Sequence, residues 1–488
     1  MKRRTVIAAA AGASAVGGSI AIAARRVGRS SQERIRLQRR ATVVRLTVRN
    51  GMRILGARAL GQVAGSDRRA ELEARATIRT AEDVARELGQ MKGALMKAGQ
   101  LISFIVEALP EEAQQALATL QADAPPMAPS LAAEVVREEL GGDPERIFLD
   151  WSPEPAAAAS IGQVHRAVTR DGRTVAVKVQ YPGVGEAITA DLANAEILYG
   201  MFAAFALKGL DTRALVDELR SRMVEELDYR LEARNQQAFA EHYAGHPFVR
   251  IPALIPELST QRVLTTEWVD GDDWATFAAS AGDHARQRAG EIIWRFAQAS
   301  ILRMGAFNGD PHPGNYRFHE DGTVTFLDFG LVKRWSPGEW ERLAPSLDAV
   351  FERDPDRLVT AMEAVEFLRA GHGLEAGAVY DYVSAPYVPY LVDEFTFTRH
   401  FVADALSTII DLKGPHAAII EKLNMPPSFV ILDRVVWGVS ALLGKLGVTR
   451  PWRAMLLEYR AEGPPATELG AADARWWTER KRAIDRAG

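Results

Sequence analysis

Asp310-Pro-His-Pro-Gly-Asn315, followed by Leu327-Asp328-Phe329-Gly330, constrains this chain more than any other stretch. An Asp and an Asn five apart precede an apolar run, Val324–Leu327, that closes in Asp-Phe-Gly. Such a set suits phosphate chemistry. The first Asp can orient an attacking hydroxyl or accept its proton, while the Asn and the second Asp can hold magnesium on nucleotide phosphates. Asp-Phe-Gly alone occurs by chance, so its weight depends on what stands upstream.

Three further pieces stand there in the expected order. Val175-Ala176-Val177-Lys178 reads as a strand ending in a lysine suited to the α- and β-phosphates. Ala157-Ala158-Ala159-Ser160-Ile161-Gly162-Gln163-Val164 overlays the protein-kinase loop pattern G-x-G-x-x-G-x-V. It keeps Gly162 and Val164 but puts Ala157 and Ala159 where glycines belong. Alanine carries a Cβ, so this loop is predicted to be stiffer and to approach phosphates less closely. Val263–Val269 reads as a sheet strand leading into a hinge, with Glu267 and Val269 placed to contact adenine.

On these residues the chain resembles the UbiB/AarF-type atypical kinases, which include the mitochondrial coenzyme Q kinases. The deciding segments lie outside the kinase set. Lys97-Ala98-Gly99-Gln100 looks like the family's KxGQ motif, Pro155–Gln163 like its alanine-rich nucleotide loop, and Glu226-Leu227-Asp228 like its ExD motif. The resemblance implies a two-lobed, kinase-like α+β fold with an N-terminal helical extension packed over the cleft. It implies ATP and Mg²⁺ as cofactors, in support of isoprenoid quinone or related lipid metabolism, with a lipid or quinone-precursor ligand. Asp310, Lys178 and Lys97 would then be catalytic, and Asn315 and Asp328 would hold the metal. Glu226, Asp228 and Glu232 would join the alanine loop around the nucleotide. Glu232 is the favoured helix partner of Lys178, with Glu226 as competitor. A nucleotide-binding scaffold without turnover and a signalling protein kinase are the alternatives. About six residues separate Gly330 from the next helix start where a conventional protein kinase has its long activation segment. No Arg precedes Asp310 as in an H-R-D triplet, and both features disfavour an ordinary protein kinase.

A chain of 488 residues accommodates two lobes with extensions. It has no cysteine, which excludes disulfides and thiol chemistry. The net charge of −4 hides an asymmetry. Lys2, Arg3, Arg4 and eleven arginines from Arg25 to Arg58 face one acid, Glu33, giving +13 and leaving −17 for the remainder. A basic arm on an acidic body points to an anionic partner, either membrane or nucleic acid. The uncharged stretch Thr5–Ala24 favours membrane and no specific nucleic acid, as an anchor or peripheral helix; a cleaved signal peptide and a helical tail are the other readings. The expected location is cytoplasmic, membrane-associated through the arm, and a homodimer is left open.

The expected domains are a basic arm (1–60), a helical extension (61–130), an N-lobe (131–270), a C-lobe (271–465) and a charged tail (466–488). Within them, Ser130 is a candidate helix cap, Asp171-Gly172 a hairpin turn and 211–242 one long helical stretch. Residues 283–304 read as a helix leading into the catalytic loop, and Ser336-Pro-Gly-Glu339 as a capping box. His242 and His246 have a metal-ligand spacing, but Gly245 and Pro247 interrupt the helix and no third ligand is near, so no metal site is expected. His312 is expected to brace the catalytic loop.

Overall fold

The computed structural model describes residues 128–159, 161–185, 224–410, 414–424 and 427–487. The arm, most of the helical extension with Lys97, and Ser160 lie outside the described residues.

The N-lobe is built on alternation. Helix α1 (Pro129–Leu140) starts with proline in its first turn and stops at Gly141, whose φ of 76° is cheap only for glycine. Ala128 rather than Ser130 occupies its N-cap, because Pro129 already supplies the first helical residue. Strands β1 (Phe148–Trp151), β2 (Ala157–Ala159), β3 (Gly162–Thr169), β4 (Thr174–Gln180) and, later in the chain, Val263–Glu267 form one antiparallel sheet. Val175, Val177 and Val179 point to one face, where they are fully buried with Ala132, Val135 and Val136 of α1. Each such valine contributes about 1.5–3 kcal/mol relative to exposure. The period of two then forces Lys178 onto the opposite face, toward the cleft. The β3–β4 hairpin turns at Gly172, with φ of 89°.

Of the expected helical stretch 211–242, residues 211–223 lie outside the described residues, and helix α2 spans Tyr229–His242. Its N-cap is Asp228, whose carboxylate accepts the Arg230 N–H at 3.0 Å. A turn at Glu226–Leu227 precedes it, so the expected continuous helix is broken there. The polar run has adequate helix propensity, but an aspartate that caps the following turn competes with helix continuation.

The C-lobe core gathers on helix α3 (Asp283–Ala299), which buries Ile292, Ile293, Trp294, Phe296 and Ala297. A π-helical turn, Ser300–Met304, extends it to Gly305 (φ 66°) and delivers the chain to the catalytic loop. Two small sheets frame that loop. One has Val249–Arg250 parallel to Val324–Phe326, which is also antiparallel to Tyr316–Phe318; the other pairs Ala306–Asn308 with Val332–Arg334. Helix α4 (Glu339–Glu352) follows directly. Glu339 accepts the Ser336 N–H at 2.8 Å, as a capping box requires, but Gly338 (φ 72°) rather than Ser336 is the N-cap. Helix α5 (Pro427–Leu446) packs on α3, and helix α6 (Glu468–Ala487) covers the C-terminal end of α2. Buried Asp473 of α6 accepts from Arg303 at 2.8 Å and Tyr459 at 3.0 Å and lies 3.1 Å from His246 Nε2, so that histidine is committed to an ion-pair network.

Candidate active site

Lys178 Nζ lies 2.8 and 2.9 Å from the two Glu232 carboxylate oxygens and 3.6 Å from Asp328 Oδ2. Burial works against the lysine charge, yet the Glu232 and Asp328 carboxylates overcome it and hold its pKa well above the ordinary value. Burial pushes Glu232 up to about 7 while Lys178 pulls it down. With both oxygens within hydrogen-bond distance of Nζ, the pair is ionised. Tyr229 lies under the lysine, Nζ being 5.0 Å from its ring centroid. Burial raises the Tyr229 pKa, so its hydroxyl remains a donor. That hydroxyl is buried and has no hydrogen-bond partner among the described residues.

The loop above is short of space. A Cβ on Gly162 would sit 2.2 Å from the Val179 carbonyl oxygen and 2.9 Å from the Tyr229 hydroxyl, so only glycine fits where β3, β4 and α2 converge. Ala157, Ala158 and Ala159 form a strand paired with Val164, Gln163 and Gly162. The alanines therefore lie in regular extended backbone, where a Cβ is no burden. Val164 is directly opposite Lys178 in the β3–β4 ladder.

Across the cleft the catalytic loop is tied by its own amides. Asn308 accepts the Asp310 N–H at 2.8 Å, and its side-chain amide donates to the Asp328 carbonyl. Asn315 Nδ2 donates to the Asp310 carbonyl at 3.0 Å, which leaves its Oδ1 for another partner. His312 Nδ1 accepts the Gly314 N–H at 3.1 Å and braces the loop; burial lowers its pKa. Gly330 N–H donates to Asp328 Oδ1 at 2.9 Å, while Phe329 is fully buried with its ring 4.7 Å from that of Phe239 on α2. Phe329 thus links Asp328 to the helix that carries Glu232.

The structure brings Lys178, Glu232 and Asp328 together and sets Asp310 beside Asn315. Glu226 lies in the turn before α2, close enough for its charge to act on Glu232, and Asp228 serves as the α2 cap. Glu267 ends its strand and accepts from Ala253 N–H at 3.4 Å; Val269 follows in the connection to the C-lobe. Lys97 and Ser160 lie outside the described residues. Magnesium favours oxygen donors and retains water or phosphate oxygens in its shell, so two protein ligands suffice. Asp328 Oδ2 and Asn315 Oδ1 fit that chemistry, and the unpartnered Tyr229 hydroxyl beside Lys178 fits a phosphate acceptor.

Two contributors carry no family motif. Tyr229 directly follows Glu226-Leu227-Asp228. Arg434 of α5 donates to Asp310 Oδ1, with side chains 10% and 19% exposed. Its sequence signal is weak but real: Asp433-Arg434 is a lone charged pair in the run Phe429–Leu443, otherwise apolar or small.

These features define a bilobal, protein-kinase-like domain with a lysine–glutamate pair and a DFG-type aspartate in its cleft. The ABC1 atypical kinase-like domain matches residues 119–362, half of the sequence, and the chain belongs to the ABC1 (UbiB/AarF-type) atypical kinase family. It is 36% identical over 274 residues to the chloroplastic protein Activity of BC1 Complex Kinase 8 of Arabidopsis thaliana, a match covering 55% of this chain and 36% of that protein. An uncharacterized chloroplastic aarF domain-containing protein kinase of the same plant is 29% identical over 396 residues, or 77% of this chain and 53% of the relative. Among solved structures, Rv3197 of Mycobacterium tuberculosis in complex with erythromycin superposes with a TM-score of 0.59 at 32% identity, covering 80% of this chain and 97% of that one. The chain spans about a third to a half of the length of the first curated relatives.

Proposed function

We propose that the cleft binds ATP with Mg²⁺ and that the protein transfers or hydrolyses the terminal phosphate, in support of isoprenoid quinone or related lipid metabolism. The observation that carries this reading is the Lys178–Glu232 pair, 2.8 Å apart, with the lysine 3.6 Å from Asp328. Lys178 would hold the α- and β-phosphates, with Tyr229 donating beside it. Asp328 and Asn315 would hold the metal, which supplies charge neutralisation on the phosphates. Asp310 would orient the acceptor hydroxyl or a water. The solved relative's complex with erythromycin supports a small organic ligand for members of this family. Association with an anionic membrane through residues 1–60, and packing of the Lys97 helix over the cleft, belong to the same proposal. Among the described residues no helix is long and apolar enough to cross a membrane.

Ala157 and Ala159, standing where a kinase loop carries glycines, favour a second reading, nucleotide binding without turnover. The test is thermal stability with ADP or ATP, with and without Mg²⁺, in wild type and Asp328→Asn. Saturating ligand should stabilise the wild type by about 2–4 kcal/mol, and the metal-dependent part should vanish in the variant. An unchanged metal-dependent shift would sink the assignment of Asp328. Phosphate release under the same conditions separates turnover from binding alone.

A further inference from the structure

Within the C-lobe, residues including Asp433 of α5 line a second, partly open cavity of about 80 Å³. That is several times the space one water needs, so the cavity can take the apolar end of a small molecule entering through its open side. Its walls are apolar, including Leu347, Val383, Phe429 and Leu432, and its polar groups are few. Ser346 presents a buried hydroxyl with no hydrogen-bond partner among the described residues. Asp433 of α5 presents a carboxyl to the same space. A buried hydroxyl left unpaired in an apolar wall is costly, and a ligand that satisfies it recovers that cost. One carboxyl and a few hydroxyls, those of Ser346, Tyr382 and Tyr387, among hydrocarbon select for an apolar body bearing a donor for Asp433.

We propose that this cavity binds a small apolar molecule with one hydrogen-bond donor, an amine or a hydroxyl, and that its occupancy is transmitted to Asp310 through α5. The second part rests on the proposed nucleotide turnover; the first does not. Consecutive residues of α5 face the two sites: Asp433 lines the cavity, and Arg434 holds Asp310. One turn on, a Cβ at Gly438 would lie 2.3 Å from Pro311 Cγ, so the helix is in tight contact with the catalytic loop. A ligand that shifts α5 at Asp433 moves the anchor of Asp310 directly.

Electrostatics support the donor preference. Burial pushes Asp433 up to about 7, with only a Trp437 hydrogen bond acting against it. The titratable groups that face it, Tyr382 and Tyr387, are themselves raised by burial and stay neutral. An ammonium should therefore bind more tightly as pH rises from 6 to 8 and the carboxylate forms, whereas a hydroxyl should not gain.

The experiment titrates the full chain with phenylbutylamine, phenylbutanol and phenylbutyrate, which share one apolar body. Calorimetry and thermal shift are read at pH 6 and pH 8. The amine and alcohol should bind at both values, and the carboxylate about tenfold more weakly or not at all. Asp433→Asn, which keeps the shape, should erase the pH-dependent advantage of the amine. Val383→Phe, which fills the space, should remove binding of all three. Equal binding of the carboxylate, or retained binding in Val383→Phe, overturns the site. The amine should also change the wild-type rate of ATP hydrolysis. Binding without such a change overturns the link to Asp310, whereas a wild type with no hydrolysis at all fails the proposed function while the titrations still decide the cavity.

Discussion

Lys178 is buried, charged and answered by two oxygens of Glu232, and that arrangement fixes what a single substitution should do. Removing one member of a buried pair leaves the other desolvated without its partner. Glu232→Gln should therefore destabilise the fold by roughly 3 kcal/mol in chemical denaturation. Asp328 would be the lysine's remaining carboxylate, so nucleotide affinity should fall as Lys178 turns toward it. A loss below about 0.5 kcal/mol would show that the pair contributes little net energy, as exposed pairs do. Arg434 makes a different prediction. It touches Asp310 and none of the lysine cluster in the structure's hydrogen bonds, so Arg434→Met should lower kcat about tenfold or more with KM for ATP nearly unchanged, and Arg434→Lys should restore part of the rate. A raised KM with unchanged kcat would instead place Arg434 among the nucleotide contacts.

At the scale of elements, α5 is the least obvious and the most consequential. Gly438→Ala would drive a Cβ against the rigid ring of Pro311, and overpacking of this kind costs about 1–3 kcal/mol. A thermal shift should register that loss together with slower turnover; a variant as stable and active as wild type would show that the helix yields freely. Helix α6 offers a pH test. Burial raises the Asp473 pKa, but His246, Arg303 and Arg295 outweigh it and hold the carboxyl below its ordinary value. A depressed folded pKa means stability present above the unfolded value, near 4, and lost as pH falls through the folded one. The advantage of wild type over Asp473→Ala in urea should therefore be full at pH 6 and shrink progressively below pH 4. Much of this architecture was legible in the sequence because it follows periodicity: the β4 valines, the hairpin at Gly172 and the helix from Asp283; the bilobal fold came through the family resemblance. Kinase motif order joined Lys178 and Asp328 to some acidic helix residue and left Glu226 and Glu232 competing, and in the structure it is Glu232 that meets Lys178. Arg434 was not, since 124 residues separate it from Asp310 and only tertiary packing joins them. The break at Glu226–Asp228 escaped for a local reason: an aspartate reads equally as a helix surface residue or as a cap.

The whole molecule is polarised in charge, and that polarity sets its last prediction. Residues 1–58 carry +13 against −17 for the rest, with eleven arginines between Arg25 and Arg58 and no aromatic residue up to that point. Basic residues near an anionic bilayer contribute about 1 kcal/mol each, falling off within a Debye length. Even partial engagement of the arm would therefore suffice for binding, and the uncharged stretch Thr5–Ala24 would add an apolar term. Nucleic acid is the competing partner for the same charges. The missing aromatics remove base stacking from its repertoire and leave only phosphate contacts. Full-length protein and a truncated form starting at residue 61 should be sedimented with vesicles of acidic or neutral lipid at low and high salt. The full chain should bind acidic vesicles far more than neutral ones, lose most of that binding at high salt, and show faster nucleotide turnover when bound. The truncated form should remain in the supernatant while retaining its Mg-dependent stabilisation by ADP, because every residue assigned to the phosphate site, Lys97 included, lies beyond the cut. Equal sedimentation of both forms, or a preference for neutral lipid, would rule the arm out as the targeting element and return the acidic body's own surface to consideration.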